Sequence, residues 1–237
     1  AVSFGLSHSI VVLAYAGGTN SLSVSATRFV LPIVALLAFL VIKRERVSLP
    51  YRHAIWAVGL GILTAAYTFA LLSALERLPA GIAMLVFYVF PILTGVIVAV
   101  MGWTPFDRKA AGASFVALLG MGLTLGVRFD AYSLPGLSLA FLSALGLAVV
   151  SAASVRVIAA TDPVRTTLYM SVAALACLVA VVLALGGFQW PKTQGGWIAF
   201  VLSHAFYAIA LIGYFVALAW VGAATAATLG YLQPLVV

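Results

Sequence analysis

Polar and aromatic side chains recur at helical spacing inside long apolar stretches of this sequence. His204 and Tyr207 are three residues apart, as are Thr64 and Tyr67, so each pair lies on one face of a helix. Such groups in apolar surroundings hold a small molecule by ring contacts and a few hydrogen bonds. The alternative for each tyrosine is ordinary packing, with its hydroxyl bonded to a neighbouring helix. The residues predicted to line a cavity are Thr64, Tyr67, Tyr88, Ser151, His204, Tyr207, Tyr231 and Gln233.

Two prolines interrupt apolar runs at matching positions. The run AGIAMLVFYVFPILTGVIVAV (80–100) carries Pro91 three residues after Tyr88, and Pro234 follows Tyr231 at the same interval. Proline removes a backbone hydrogen bond and kinks a helix. The spacing predicts bends at Pro91 and Pro234 that act as hinges or gates beside the tyrosines. The alternative is that these are prolines of the kind that ordinary membrane helices tolerate.

Groups suited to catalysis or metal binding are scarce. All five acidic residues stand at or beside the ends of apolar runs, and the three histidines have no Cys, Asp, Glu or His at metal-ligand spacing. We therefore expect no enzyme activity, no metal and no cofactor. Imidazole changes charge near neutral pH, so His8 and His204 are the predicted proton sites.

The composition predicts an all-α protein that crosses a membrane many times. Of the 237 residues, 65% are hydrophobic and 7% are charged, and the mean hydropathy is +1.23, whereas soluble domains are about a quarter charged. The period-two alternation of barrel strands is absent, so the apolar runs predict helices. Nine spans are predicted, at 2–16, 22–42, 54–75, 80–102, 109–127, 134–158, 164–186, 197–219 and 222–237.

The basic residues predict the orientation. They stand in short loops, and the resulting net charge of +7 suits anionic lipid headgroups better than nucleic acid. With the N-terminus inside, eight Lys and Arg residues fall in inner loops and four (Arg28, Arg77, Arg128 and Lys192) on the outer side, which predicts a cytoplasmic N-terminus. Both ends look cut, so we expect the sequence to be a fragment of a slightly longer protein.

An internal repeat relates the two halves of the sequence. A shift of 143 residues lays LPAGIAMLVFYVFPI (78–92) over VGAATAATLGYLQPL (221–235), so that Tyr88 meets Tyr231 and Pro91 meets Pro234. The same shift lays His8 over Ser151. It carries the fourth span onto the ninth, and a step of five spans inverts the second copy across the membrane. Inverted repeats whose interrupted helices meet near the midplane are a transporter architecture.

The order of these segments resembles the drug/metabolite transporter superfamily, EamA type. ATRFVLPIVALL (26–37) is similar to that family's second helix, and FALLSALERLPAGIAMLVFYVFPILTGVI (69–97) is similar to its third and fourth helices. YFVALAWVGAATAATLGYLQPLVV (214–237) is similar to helices eight and nine. Family members often carry Gly-Glu-Arg after the fourth helix, whereas this chain has Gly-Trp-Thr at 102–104, so any role of that Glu is lost here.

The resemblance implies ten helices in two inverted five-helix repeats. Residues 1–128 would form helices 1–5 of the first repeat and residues 129–237 helices 6–9 of the second, with the tenth helix missing from this chain. Gly122 and Gly126 form a small-xxx-small pair, which either packs internally or forms a homodimer face.

The resemblance also implies a carrier of the bacterial inner membrane that exports an amino acid or a related metabolite by alternating access. No acid is predicted inside the membrane, so facilitated export is expected ahead of proton coupling through a histidine. A sugar-phosphate or nucleotide-sugar carrier is the first alternative. It would need Lys or Arg in the cavity, and none of the twelve basic residues is predicted deep in a span. A non-transporting scaffold protein is the second alternative.

Overall fold

The computed structural model of the chain describes residues 2–103, 105, 108–124 and 133–232. The described residues form helices and no strands, which confirms the predicted all-α fold. The helices are α1 (Val2–Ala16), α2 (Ser21–Thr27), α3 (Val30–Ile42), α4 (Tyr51–Arg77), α5 (Ala80–Phe87), α6 (Phe90–Val100), α7 (Arg108–Thr124), α8 (Leu134–Ala159), α9 (Pro163–Leu185) and α10 (Gln194–Thr228), followed by a 3₁₀ turn at Leu229–Leu232.

Among the residues that the structure describes, six helical segments are long and apolar enough to cross a membrane. They are Ser21–Ile42, Tyr51–Arg77, Ala80–Val100, Leu134–Ala159, Pro163–Leu185 and Gln194–Thr228. Val2–Ala16 and Ala111–Gly120 are shorter apolar helices. Large apolar side chains such as Val100, Leu183 and Trp220 are exposed to more than three quarters of their area, as expected of a surface in contact with lipid. The chain is a polytopic membrane protein.

Proline sets the position of two helix breaks. Pro32 and Pro91 each lie in the first turn of the helix after a break. The N–H groups of a first turn have no acceptor within their own helix, so proline costs that helix no hydrogen bond. Before each break, the backbone carbonyl four residues ahead of the proline has no proline N–H to accept from, and these two carbonyls are those of Arg28 and Phe87. The break between α5 and α6 lies where a bend was predicted. The break between α2 and α3 falls in a stretch predicted as one continuous span.

A third break lies inside α10. Gly222 has φ 74° and ψ 171°, a conformation that is essentially restricted to glycine. The sequence predicted one span at 197–219 and another at 222–237, and the break falls at the first residue of the second span.

One end of the bundle is closed by direct backbone contact. A Cβ atom on Gly17 would lie 2.3 Å from the Cα of Gly196, so α1 and α10 touch there. Thr19 Oγ1 donates to the carbonyl of Gln189 at 2.8 Å, and the backbone N–H of Lys192 donates to the carbonyl of Gly17 at 2.8 Å. We call the region formed by residues 17–20 and 186–196 the closed end.

The opposite end carries most of the positive charge. It holds residues 43–53, 101–103, 105, 108–109 and 156–165, with eight of the twelve Lys and Arg residues, and we call it the basic end. The side chains of Lys43, Arg44 and Arg46 are exposed there. Arg165 pairs with Glu45 at 3.4 Å, and a partly exposed pair of this kind contributes about 0–1 kcal/mol.

Candidate functional site

A small space, which we call the chamber, lies where α1, α4, α8 and α10 meet the breaks beside α2 and α5. Its volume is about 30 Å³, which has room for a few water molecules and is far smaller than a typical small-molecule site. Seven of its eleven lining side chains are rings and one is a guanidinium. The lining residues are Phe4, His8, Arg28, Tyr67, Thr68, Leu71, Phe87, Phe90, Leu147, Tyr207 and Tyr214.

Arg28 places a positive charge in the chamber. Its side chain is 1% exposed, and its Cζ atom lies 3.7 Å from the ring centroid of Tyr207, in cation–π geometry. Nη2 donates to the hydroxyl of Ser7 at 3.0 Å, and Ser7 donates to the carbonyl of Ser203 at 2.9 Å. The prediction that no basic residue lies deep in a span was therefore wrong. Arg28 stands two turns into its span, at the helix break, and its side chain packs into the bundle instead of reaching a loop.

No carboxylate neutralises this guanidinium among the residues that the structure describes. The single ion pair of that part of the chain joins Arg165 to Glu45 at the basic end. Glu76 accepts a hydrogen bond from Ser21 at 2.6 Å instead. Within the same residues, Nε of Arg28 is buried and has no hydrogen-bond partner. A buried charge with an unused donor is costly, so it calls for a specific explanation.

The rings around the guanidinium contact one another in series. Tyr207 meets Phe29 edge-on with centroids 5.6 Å apart, and it meets Phe4 edge-on at 6.0 Å. Phe4 stacks on His8 at 6.0 Å with 8° between the planes, and His8 meets Phe87 edge-on at 6.1 Å. Offset and edge-on contacts of this kind orient the rings relative to one another. The chamber is therefore a shell of oriented aromatic surfaces around one charge.

The structure brings several predicted site residues together here. His8, Tyr67 and Tyr207 line the chamber. Ser151 reaches it through Tyr214, because the phenol oxygen of Tyr214 lies 2.7 Å from the Ser151 hydroxyl.

Two other predicted residues are buried outside the chamber lining. Thr64 donates to the carbonyl of Leu60 in its own helix at 2.8 Å. Tyr88 is 1% exposed, and its ring packs against Phe87 with centroids 5.9 Å apart. The side chain of Tyr231 and the whole of Gln233 and Pro234 lie outside the described residues.

His204 lies beside the chamber in a chain of polar contacts. Its Nδ1 atom is 2.6 Å from the carbonyl of Phe200, and its Nε2 atom is 2.8 Å from the hydroxyl of Thr27. The Thr27 hydroxyl is also 2.7 Å from the carbonyl of Ser23. Both carbonyls accept only. A neutral imidazole and a hydroxyl have two hydrogens for these three contacts, whereas an imidazolium and a hydroxyl have three.

A larger cavity, which we call the vestibule, lies at the basic end. Its volume is about 610 Å³, within the range of small-molecule sites in proteins. Its lining includes Ala152 and the pair Arg156 and Trp103, whose Cζ-to-ring-centroid distance is 4.5 Å. Phe90 lines the chamber and Pro91 lines the vestibule. The break between α5 and α6 therefore lies where the two spaces meet.

The first half of the chain matches a known protein family. Residues 1–126 match the EamA-like transporter family, and they make up more than half of the 237 residues. The chain belongs to the EamA-like transporter family. This confirms the predicted relationship to the EamA type of the drug/metabolite transporter superfamily.

Solved structures share the fold of almost the whole chain. Among 25 matching chains, one crystal structure superposes with a TM-score of 0.79 at 22% sequence identity, covering 99% of this chain and 83% of the other. At that identity the likeness shows the fold alone. No curated protein sequence matches the chain.

Both halves of this EamA-like protein contribute to the chamber. The family match covers eight of the eleven lining residues. The other three, Leu147, Tyr207 and Tyr214, come from α8 and α10. The chamber therefore requires helices from both parts of the chain.

Sequence reasoning missed Arg28, Phe4 and Tyr214 as site residues, although the spacing carried a signal for each. Arg28 stands four residues before Pro32, as Phe87 stands four residues before Pro91. Phe4 precedes His8 by four residues, which places both on one helix face. Tyr214 follows Tyr207 by seven residues, two turns along the same face.

We expect Gly146→Ala to destabilise the protein by displacing Tyr67. A Cβ atom on Gly146 would lie 2.6 Å from the Cβ of Tyr67, and overpacking of this kind costs about 1–3 kcal/mol. The matched control is Gly59→Ala in α4, because nothing lies within 4 Å of the added methyl group. Thermal unfolding in detergent should show a lower midpoint for Gly146→Ala and an equal or higher one for Gly59→Ala. Equal midpoints for the two variants would show that Tyr67 is not held by this contact.

Proposed function

We propose that this EamA-like protein exports a small organic solute, an amino acid or a related metabolite, from the cytoplasm by alternating access. The observation that carries the proposal is the chamber. It combines one guanidinium that no described carboxylate neutralises with three phenol groups and one imidazole. An aromatic shell surrounds these groups where two helix breaks meet. Concave sites with mostly apolar walls and a few convergent polar groups are typical of small-molecule binding.

Access to the chamber differs between the two ends of the bundle. The vestibule approaches it from the basic end, whereas contacts such as that between Gly17 and Gly196 block the closed end. An excess of Lys and Arg marks the cytoplasmic side of membrane proteins, so we propose that the vestibule faces the cytoplasm of a bacterial cell and that the N-terminus lies there too. The solute would enter from the vestibule and leave after the closed end opens.

An inverted repeat supports this cycle. The two most extensive helix pairings are α1 with α10 and α4 with α8, and the 143-residue shift converts one pairing into the other. The shift also lays Phe4 over Leu147 and Leu71 over Tyr214, and all four line the chamber. We propose that residues 1–128 and 129–237 form the two repeats, and that the two halves rock about the chamber.

Pro91 is the proposed hinge. It lies between the chamber and the vestibule, directly after a helix break, so rotation at this point would change how Phe90 separates the two spaces. Pro234 is proposed to act in the same way in the second repeat, with Tyr88 and Tyr231 packing beside the two hinges.

The proposal is tested by screening solutes against the purified protein. Common amino acids, organic acids and cationic drugs are tested for an increase in the thermal unfolding temperature, and stabilising solutes are then loaded into proteoliposomes for efflux measurements. We expect at least one stabilising solute to leave the vesicles faster than from protein-free vesicles. Stabilisation without faster efflux would favour a binding or scaffold protein.

We further propose that His204 is a proton site. Export would then be coupled to proton movement through His204, in place of the facilitated export expected from the sequence. Proton uptake by the ring would let all three polar contacts be hydrogen bonds at once, because an imidazolium and the Thr27 hydroxyl together supply three hydrogens. Arg28 is the neighbouring charge and repels a second cation. Proton uptake at His204 should therefore depend on what else occupies the site.

We expect a pH gradient to drive solute accumulation several-fold in wild-type proteoliposomes and to have no such effect in His204→Ala. The control is His53→Ala, because His53 lies in the first turn of α4 at the basic end, outside the chamber lining. Solute flux is measured with and without imposed pH and sodium gradients. Wild-type flux that is the same with and without the pH and sodium gradients would support facilitated export. Accumulation that survives the loss of both His8 and His204 would exclude both histidines as proton sites.

A further inference from the structure

We propose that Arg28 binds a carboxylate of the solute, which makes the solute of this protein a small amphipathic carboxylate. This proposal rests on the proposed function, because it names the chemical class that the same site would take. The guanidinium is the one charged side chain in the chamber lining.

The positive charge in the chamber is only partly balanced by its surroundings. Arg28 is 1% exposed, and no acidic side chain pairs with it among the described residues. The ring of Tyr207 and the hydroxyl of Ser7 compensate part of the charge. A neutral ring and a neutral hydroxyl do not replace the hydration that a cation loses on burial. An anion that enters the chamber would neutralise the remaining charge.

The guanidinium of Arg28 keeps a hydrogen-bond donor that no described residue uses. Nε has no partner in the described part of the chain, and the hydroxyl of Ser7 takes one hydrogen of Nη2. One face of the planar group is occupied by the ring of Tyr207, so a ligand must approach in the plane, where the N–H bonds point. Two N–H groups of a guanidinium match the two oxygens of a carboxylate. An anionic oxygen ligand therefore fits the donors that remain.

The charge of the chamber lining distinguishes a carboxylate from a phosphate as the bound anion. Arg28 is the one Lys or Arg side chain in the chamber lining, and the other members are phenyl, phenol and imidazole rings, aliphatic groups and a threonine. A single positive charge balances a carboxylate, whereas a phosphate monoester carries close to two negative charges at neutral pH. The vestibule lining contains Arg156, but its guanidinium lies over Trp103. The charge count favours the carboxylate.

The aromatic lining of the chamber favours a solute that has an apolar body. The rings of Phe4, Phe87, Phe90 and Tyr207 surround the charge and offer apolar faces. Because the chamber holds only about 30 Å³, the rings must separate to admit the body of a metabolite. When the rings separate, they lose their contacts with one another. A solute with an apolar body beside its carboxylate would replace these lost contacts with contacts of its own. A strongly hydrated sugar would leave those faces unsatisfied.

Wild-type protein alone gives the first test. Thermal stabilisation is measured with the common L-amino acids, with the primary amide of each, and with phenyl phosphate. Each amide keeps the shape of its parent and removes the negative charge. We expect stabilisation by one or more amino acids with apolar side chains and none by the corresponding amides. Equal stabilisation by an acid and its amide, stronger stabilisation by phenyl phosphate, or none by any amino acid would each overturn the proposal.

Variants give the second test. Arg28→Gln should weaken binding of the stabilising amino acid about 10- to 100-fold, the effect expected of a charge-assisted hydrogen bond. Arg28→Lys keeps the charge but not the paired donors, so its affinity for the amino acid should lie between those of Arg28→Gln and the wild type. Arg52→Gln is the control, because Arg52 is exposed at the start of α4. Folded yield and the unfolding temperature without solute are measured for all three. Unchanged affinity in folded Arg28→Gln would overturn the proposal.

The outcomes separate this proposal from the proposed function. Arg28-dependent binding of a carboxylate without transport would leave the site in place and reject export. Transport of an uncharged or cationic solute that survives Arg28→Gln would support export and reject the carboxylate site. If Arg28→Gln does not fold, the comparison of acids with amides on wild-type protein still decides the question.

Discussion

Tyr207→Leu is expected to lower the apparent affinity for the transported solute about 30-fold. The leucine removes the ring that lies 3.7 Å from Cζ of Arg28, and a desolvated cation–π contact is worth about 2 kcal/mol. Without the ring, the guanidinium loses the partner that orients it. Solute uptake into proteoliposomes is measured as a function of solute concentration, and the folded yield of each variant is measured in parallel.

Tyr207→Phe is the matched control, because it keeps the aromatic face and removes only the hydroxyl. Its affinity should stay much closer to that of the wild type. Tyr51→Leu makes the same change on a side chain that is 80% exposed, and it should leave uptake unchanged. If Tyr207→Leu and Tyr207→Phe weaken uptake equally, the hydroxyl and not the ring matters. If Tyr207→Leu loses yield and uptake in equal proportion, Tyr207 is an ordinary packing residue.

A disulfide across the closed end is expected to reduce transport to below about a tenth of the uncrosslinked rate. Thr19 Oγ1 lies 2.8 Å from the carbonyl of Gln189, so these residues are neighbours on the two sides of the proposed exit. The pair Thr19→Cys and Gln189→Cys is made in a Cys177→Ala background, which removes the one native cysteine. Oxidation should stop solute movement because the closed end cannot open, and a reductant should restore it.

The two single-cysteine variants under the same oxidant are the controls, and both should transport at their normal rates. Gel mobility after proteolysis between the two positions shows how much of the protein is cross-linked. Full transport by fully cross-linked protein would mean that the solute does not leave through the closed end.

Helix lengths were predictable because the membrane fixes them. The predicted spans 54–75 and 164–186 correspond to Tyr51–Arg77 and Pro163–Leu185, each within three residues. A run of apolar residues in lipid must satisfy its backbone internally, so its length and chemistry leave little choice of structure.

The inward face of each helix was much harder to predict. Tyr67 lines the chamber, whereas Tyr88 packs outside its lining, and both stand in runs that are apolar on every side. A soluble helix marks its buried face by contrast with a polar face, and that contrast is missing when the outer face meets lipid. Residue type alone therefore did not separate cavity tyrosines from packing tyrosines.

Arg28 was misplaced for a related reason. Its position near the start of a span suggested a loop, but the break before Pro32 and the contacts with Ser7 and Tyr207 draw its side chain into the bundle. Those partners lie on α1 and α10, far away in the sequence. Only the assembled bundle brings a phenol ring over this guanidinium.

Solute counterflow in proteoliposomes tests alternating access most directly. Vesicles that contain the protein are loaded with a high concentration of a stabilising solute and diluted into a trace of the labelled solute. A carrier that moves one occupied site between two sides predicts a transient accumulation of label above its equilibrium level, which disappears in the oxidised Thr19→Cys and Gln189→Cys protein and returns after reduction. Label that rises only to equilibrium, or that accumulates equally in the oxidised and reduced protein, would contradict alternating access through the chamber.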